Sequence, residues 1–141
     1  MKSFALGLFL LAVVLAPAAP TTPKPGSKVR KELMDSLRSA TKKVLANKPV
    51  VWKVNHLSVE GDWAFMMGVP QQPNGKAFDY RGTELWDQVQ EGIFDDWVCA
   101  LFVKSKGKWT VKQWQIGATD VAWFGWWEDF KAPRSIFPKA G

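Results

Sequence analysis

One helical stripe followed by four strand-like runs in two pairs decides most of what this chain can fold into. Behind Ser27, a residue suited to an N-cap, apolar positions Val29, Leu33, Leu37, Ala40, Val44 and Leu45 recur at helical spacing. The spacing predicts about five turns of helix with one apolar face, ended by Asn47 and Pro49. Lys31 and Asp35 fall at i, i+4 on its polar side. Residues 50–59 (VVWKVNHLSV) and 63–69 (WAFMMGV) are rich in β-branched and aromatic side chains and flank Glu60-Gly61-Asp62. That pattern predicts a hairpin with Trp63, Phe65, Met67 and Val69 on one face. Residues 97–104 (WVCALFVK) and 109–116 (WTVKQWQI) flank Ser105-Lys106-Gly107-Lys108 and predict a second. Residues 97–104 are apolar on both faces, which places that strand at the centre of a sheet.

Between the hairpins, residues 70–75 (PQQPNG) are a clear break. Residues 81–94 carry a weak helical pattern closed by Gly92. After Ile116, residues 121–130 (VAWFGWWEDF) are dense in aromatic residues, and Thr119 or Asp120 is placed to cap a short helix there. The expected architecture is α+β: one long N-terminal helix packed on a four-stranded antiparallel sheet of two hairpins, with an aromatic-rich C-terminal segment. Cys99 is the single cysteine, which leaves no intramolecular disulfide, so the core must hold by packing. Nine tryptophans suit that task, since each aromatic side chain can bury roughly 150–250 Å².

The first eighteen residues read as a cleavable signal peptide. Lys2 precedes an uncharged apolar run of 12 residues (FALGLFLLAVVL), and Ala16-Pro17-Ala18 offers small residues for cleavage after Ala18. A membrane span would need roughly 20 apolar residues, so no stable anchor is expected after cleavage. Residues 19–26 (APTTPKPG), with three prolines, are expected to form a flexible leader, and residues 27–141 a single domain. The expected location is periplasmic or extracellular.

The net charge of +6 is unevenly spread. Residues 24–53 carry nine basic and two acidic side chains, residues 60–96 two basic and eight acidic, and residues 97–141 seven basic and three acidic. A basic chain can favour nucleic acid, but export and this alternation argue against it and for a dipolar surface.

The helix, the antiparallel meander and the closing hairpin GKWTVKQWQIG are similar to the cystatin-like and NTF2-like α+β families. The segments VNHLSVEGDWAFMMGVPQ, CALFVKSKGKWTVKQWQIGATD and APRSIF resemble small uncharacterised bacterial secreted proteins. The NTF2-like resemblance implies a ligand held between sheet and helix, but carries no residue roles with it.

Chemistry is sparse in the residues themselves. His56 is the one histidine, and alternation puts it on the face of Trp52 and Val54, where a packed, hydrogen-bonded ring is the simplest reading. With one His and one Cys, a zinc site is not expected. Asp95-Asp96 are adjacent and point to opposite sides, and Glu84, Asp87 and Glu91 read as a solvated face. No serine nucleophile motif or phosphate-binding glycine pattern occurs, so no catalytic residue and no cofactor is assigned. The candidate binding residues are Trp123, Phe124, Trp126 and Trp127, which one short helix cannot all turn inward, together with His56. These observations lead to an exported, non-catalytic binding or accessory domain of the cell envelope, using the open sheet face and the aromatic tail. Its partner would be an envelope protein, a glycan or a small ligand. The alternative is a small-ligand or isomerase-like pocket of NTF2-like type centred on His56.

Overall fold

Helix α1 (Lys28–Thr41) starts where Ser27 accepts the amide of Arg30. In the computed structural model, which describes residues 19–139 together with Gly7 and residues 10–12, this is the one long helix. It is shorter than the five turns expected: regular helix ends at Thr41, and residues 42–47 continue as turns that reach positive φ at Ala46 and Asn47. The buried stripe runs through Leu33, Leu37 and Thr41, while Ala40 is exposed. Steps of four keep 33, 37 and 41 in line, and Thr41 tolerates burial because its hydroxyl donates to the Leu37 carbonyl at 2.8 Å.

The four strands are β1 (Val51–Glu60), β2 (Trp63–Gln71), β3 (Val98–Ser105) and β4 (Lys108–Ile116). They form one antiparallel meander in the order β1-β2-β3-β4. The first hairpin turns through Gly61 and Asp62. The second turns through Lys106 and Gly107, both at positive φ, the geometry that matches strand twist in a two-residue turn. β3 is central, and Val98 to Phe102 are fully buried on both faces. β2 runs through Pro70 and Gln71, two residues into the expected break.

Both faces of the sheet are covered. On one, α1 lies over Trp52, Ala64, Met66, Ala100, Phe102 and Trp109, and the Trp52 indole reaches the Met34 carbonyl of α1. The crossing between hairpins adds Phe78 and Tyr80 to this core and contains the short helix α2 (Trp86–Gln90). On the other face, the C-terminal segment packs Trp123, Trp126, Ile136 and Phe137 onto Phe65, Cys99 and Leu101. The open sheet face expected from the sequence is therefore filled.

One irregularity changes which residues meet. Pairing between β1 and β2 slips between Val54 and His56, leaving Asn55 as a bulge. One extra residue inverts the alternation. His56 consequently lies on the face opposite Trp52 and Val54, which corrects the placement read from period two. Gly68, paired with Val54, makes the close approach possible: a Cβ there would come within 2.5 Å of the Lys53 carbonyl oxygen.

Residues 19–24 run without helix and turn at Pro25 and Gly26 into α1, and their backbone is tied to the sheet edge. Thr21 and Val59 exchange reciprocal hydrogen bonds of 2.8 Å, and Arg30 donates to the Pro23 carbonyl. The signal-peptide reading falls on residues 1–18, most of which lie outside the described residues. Among the described residues no helix is long and apolar enough to cross a membrane.

Candidate functional site

The aromatic segment leaves β4 through Gly117 at positive φ, with the Phe94 ring lying where a Cβ would otherwise stand. Trp97 donates its indole N–H to the Ala118 carbonyl and pins the root of the segment. The Asp120 carboxylate accepts the Val121 amide, but the helix capped in this region begins later. Helix α3 (Trp126–Asp129) is one turn long and starts after Gly125, which adopts the left-handed conformation. A 3-10 turn at Arg134–Ile136 then returns the chain to the sheet.

That backbone sorts the four clustered aromatics. Trp123 and Trp126 are buried, 8% and 7% exposed, and meet Phe65 edge-on at 5.7 and 6.4 Å. Phe137 lies 4.5 Å from Phe65, centroid to centroid, within the range in which aromatic pairs attract. Phe124 points the other way and is 67% exposed. Trp127, half-buried, links the two groups: it meets Phe124 at 5.1 Å and Phe137 at 5.5 Å, each near perpendicular. The Arg134 guanidinium sits 4.0 Å from the centre of the Trp127 ring, a cation–π contact. Val121, 50% exposed, precedes Phe124 by one turn, its carbonyl accepting the Phe124 amide. The exposed outcrop is thus Val121 and Phe124, backed by Trp127 and Arg134.

The segment as a whole is held by long-range bonds. A His56 ring nitrogen lies 2.8 Å from the Ile136 carbonyl, and the ring packs 5.9 Å from Phe65. Ser135 donates to the Glu60 carboxylate at 2.6 Å. His56 therefore meets the aromatic segment as a clamp on its backbone, and it lines none of the three surface grooves described on the α1 side. Cys99 is fully buried beneath the same segment, and desolvation pushes its thiol up to about 12.

The carboxylates are scattered. Tyr80 donates its hydroxyl to Asp96 at 2.6 Å, and burial first, then that carboxylate, raise the phenol well above its ordinary value. Asp95, Glu84, Asp87 and Glu91 are exposed. Among the described residues, no three His, Cys, Asp or Glu side chains gather as they would around a metal ion.

Arg134 was not among the residues singled out from the sequence, since only the 3-10 turn brings it over Trp127. A groove of about 460 Å³ between α1 and the β3–β4 hairpin was likewise not foreseen, because its two walls lie some seventy positions apart in the chain. Comparison of the chain with protein families, curated proteins and solved structures finds no match.

Proposed function

We propose that this chain is an exported, non-catalytic binding or accessory domain of the cell envelope, and that it engages its partner through Phe124, with Val121, Trp127 and Arg134 around it. The observation that carries the reading is the exposure of Phe124 in a segment whose other rings are buried or half-buried. An exposed aromatic backed by a rigid, partly buried tryptophan and an arginine has the composition of an interface anchor. A sheet-and-helix body that is packed on both faces holds that anchor without needing to move. The export part of the reading rests on residues 2–18, with Lys2, the apolar run and Ala16-Pro17-Ala18.

Two measurements test it. N-terminal sequencing of the protein recovered from a bacterial periplasm or medium is expected to begin at Ala19; an intact Met1 start would remove the export reading. A photo-crosslinking residue at position 124 is expected to give a discrete adduct with an envelope component. That adduct should vanish when Trp127→Ala and Arg134→Ala are added, with the thermal transition still cooperative. Retention of the adduct in those variants, or its absence throughout, overturns the surface assignment.

A further inference from the structure

β1 forms one edge of the sheet, and an unpaired strand edge invites another chain to pair with it. The leader closes part of that edge. The Thr21 amide donates to the Val59 carbonyl, and the Val59 amide donates to the Thr21 carbonyl, each at 2.8 Å. Two further ties follow within three residues. The Arg30 guanidinium donates to the Pro23 carbonyl at 3.1 Å, and the Ser27 amide donates to the Lys24 carbonyl at 3.1 Å as the chain turns into α1. Pro20, Pro23 and Pro25 have no amide to donate, and their fixed φ suits a stretch lying along a sheet edge.

Cleavage after Ala18 would put Thr21 third on the product side of the scissile bond. Three residues of chain span about 10 Å at most, so that bond stands directly against the folded body. A peptide held by an enzyme as an extended strand is gripped through its backbone amides and carbonyls. Those of Thr21 cannot pair with a peptidase while they pair with Val59. Cutting therefore requires the leader to leave the edge. Where opening and closing outrun cleavage, the rate follows the population of the open form. Loss of the Thr21 pair and the Arg30 bond makes that form rarer by about tenfold to hundredfold, at the usual net strength of such bonds.

We infer that the Thr21–Val59 pairing makes signal removal and folding an ordered sequence: the Ala18–Ala19 bond is hydrolysed while the chain is unfolded, and a precursor that folds first is held uncut. Water adds across that bond, leaving a carboxylate on Ala18 and an amine on Ala19, and the freed leader then closes the β1 edge. This order rests on the export reading. The test incubates purified full-length precursor with a bacterial signal peptidase in detergent. The same precursor carrying Phe65→Asp and Phe102→Asp, which set uncompensated charges in both cores, serves as the unfolded reference, its state checked by circular dichroism. The ratio of the two cleavage rates is measured, so that a direct effect of a leader substitution on the enzyme cancels. The folded precursor is expected to be cut about tenfold to hundredfold more slowly. Thr21→Pro, which removes the amide donor, and Arg30→Ala should each bring the ratio about threefold to tenfold closer to one, with the thermal transition of the folded form kept. A parent ratio near one, with the product starting at Ala19, overturns the ordered sequence and leaves export standing. A ratio that neither variant changes overturns it as well. A precursor left whole in both forms, or cut elsewhere, overturns the export reading and the ordered sequence with it.

Discussion

The two faces of the sheet are covered by opposite means. Over one face lies α1, fourteen residues of regular helix that satisfies most of its own backbone and needs only an apolar stripe to dock. Over the other lies a segment whose only regular elements are a four-residue helix and a three-residue 3-10 turn. Its backbone does not satisfy itself, so side chains of the sheet region bond its carbonyls, His56 at Ile136 and Trp97 at Ala118, while Ser135 adds a side-chain bond to Glu60. Its packing is carried by rings around Phe65 rather than by a repeating stripe. A regular cover distributes its contacts along the chain, whereas an irregular one concentrates them on a few side chains. That concentration also leaves a ring free to face solvent, since no periodicity forces Phe124 inward.

The contrast predicts where the molecule breaks first. Phe65→Ala removes the ring that His56, Trp123, Trp126 and Phe137 all touch, and should cost about 4 kcal/mol. Leu37→Ala, under α1, should cost about 3 kcal/mol. Denaturant unfolding gives both values. Hydrogen exchange should show Phe65→Ala releasing residues 119–137 while α1 stays protected. If both regions loosen together, the two faces are one cooperative unit and the comparison fails.

Gly68→Ala tests the joint between the faces. Its Cβ would press on the Lys53 carbonyl beside the bulge, and neither backbone can retreat cheaply. We expect a loss of about 2 kcal/mol, together with a shift of the His56 ring signals as its bond to Ile136 loosens. Unchanged His56 signals would mean that the bulge does not depend on Gly68.

The smallest effect is alkaline. Cys99 lies under the aromatic segment and Tyr80 under the helical side, and both are pushed above their ordinary values by burial. The native thiol keeps its proton where the unfolded chain has lost it. Stability is therefore full below pH 9.0 and falls as pH climbs towards about 12. Urea midpoints at about pH 8 and about pH 10.5 should separate the contributions. Cys99→Ala should flatten part of the decline from the aromatic side, and Tyr80→Phe part of that from the helical side. If neither variant changes the slope, other groups govern it.

Legibility followed the same division. The Leu33 and Leu37 stripe, the Ser27 cap, the central position of β3 and both hairpin turns could be read from the residues. Each depends on neighbours within one or two turns of chain. Thr41 replaced Ala40 in the stripe through a hydroxyl bond one helical turn back, which hydrophobicity alone does not register. His56 was placed on the wrong face because alternation counts residues and a bulge adds one. The inward turn of Trp123 and Trp126, and the outward turn of Phe124, could not be read from a run in which all four rings look alike.

By itself, then, the sequence determined the α+β class, the four strands and their pairing into hairpins, and a core without disulfides. Those outcomes follow from local periodicity, turn chemistry and the lone Cys99. Only the tertiary structure decided which aromatics are exposed, that His56 clamps the C-terminal segment, and that Trp109 faces α1 with its N–H unpaired. These depend on contacts between residues far apart in the chain, where one bulge at Asn55 or one left-handed Gly125 redirects every side chain that follows.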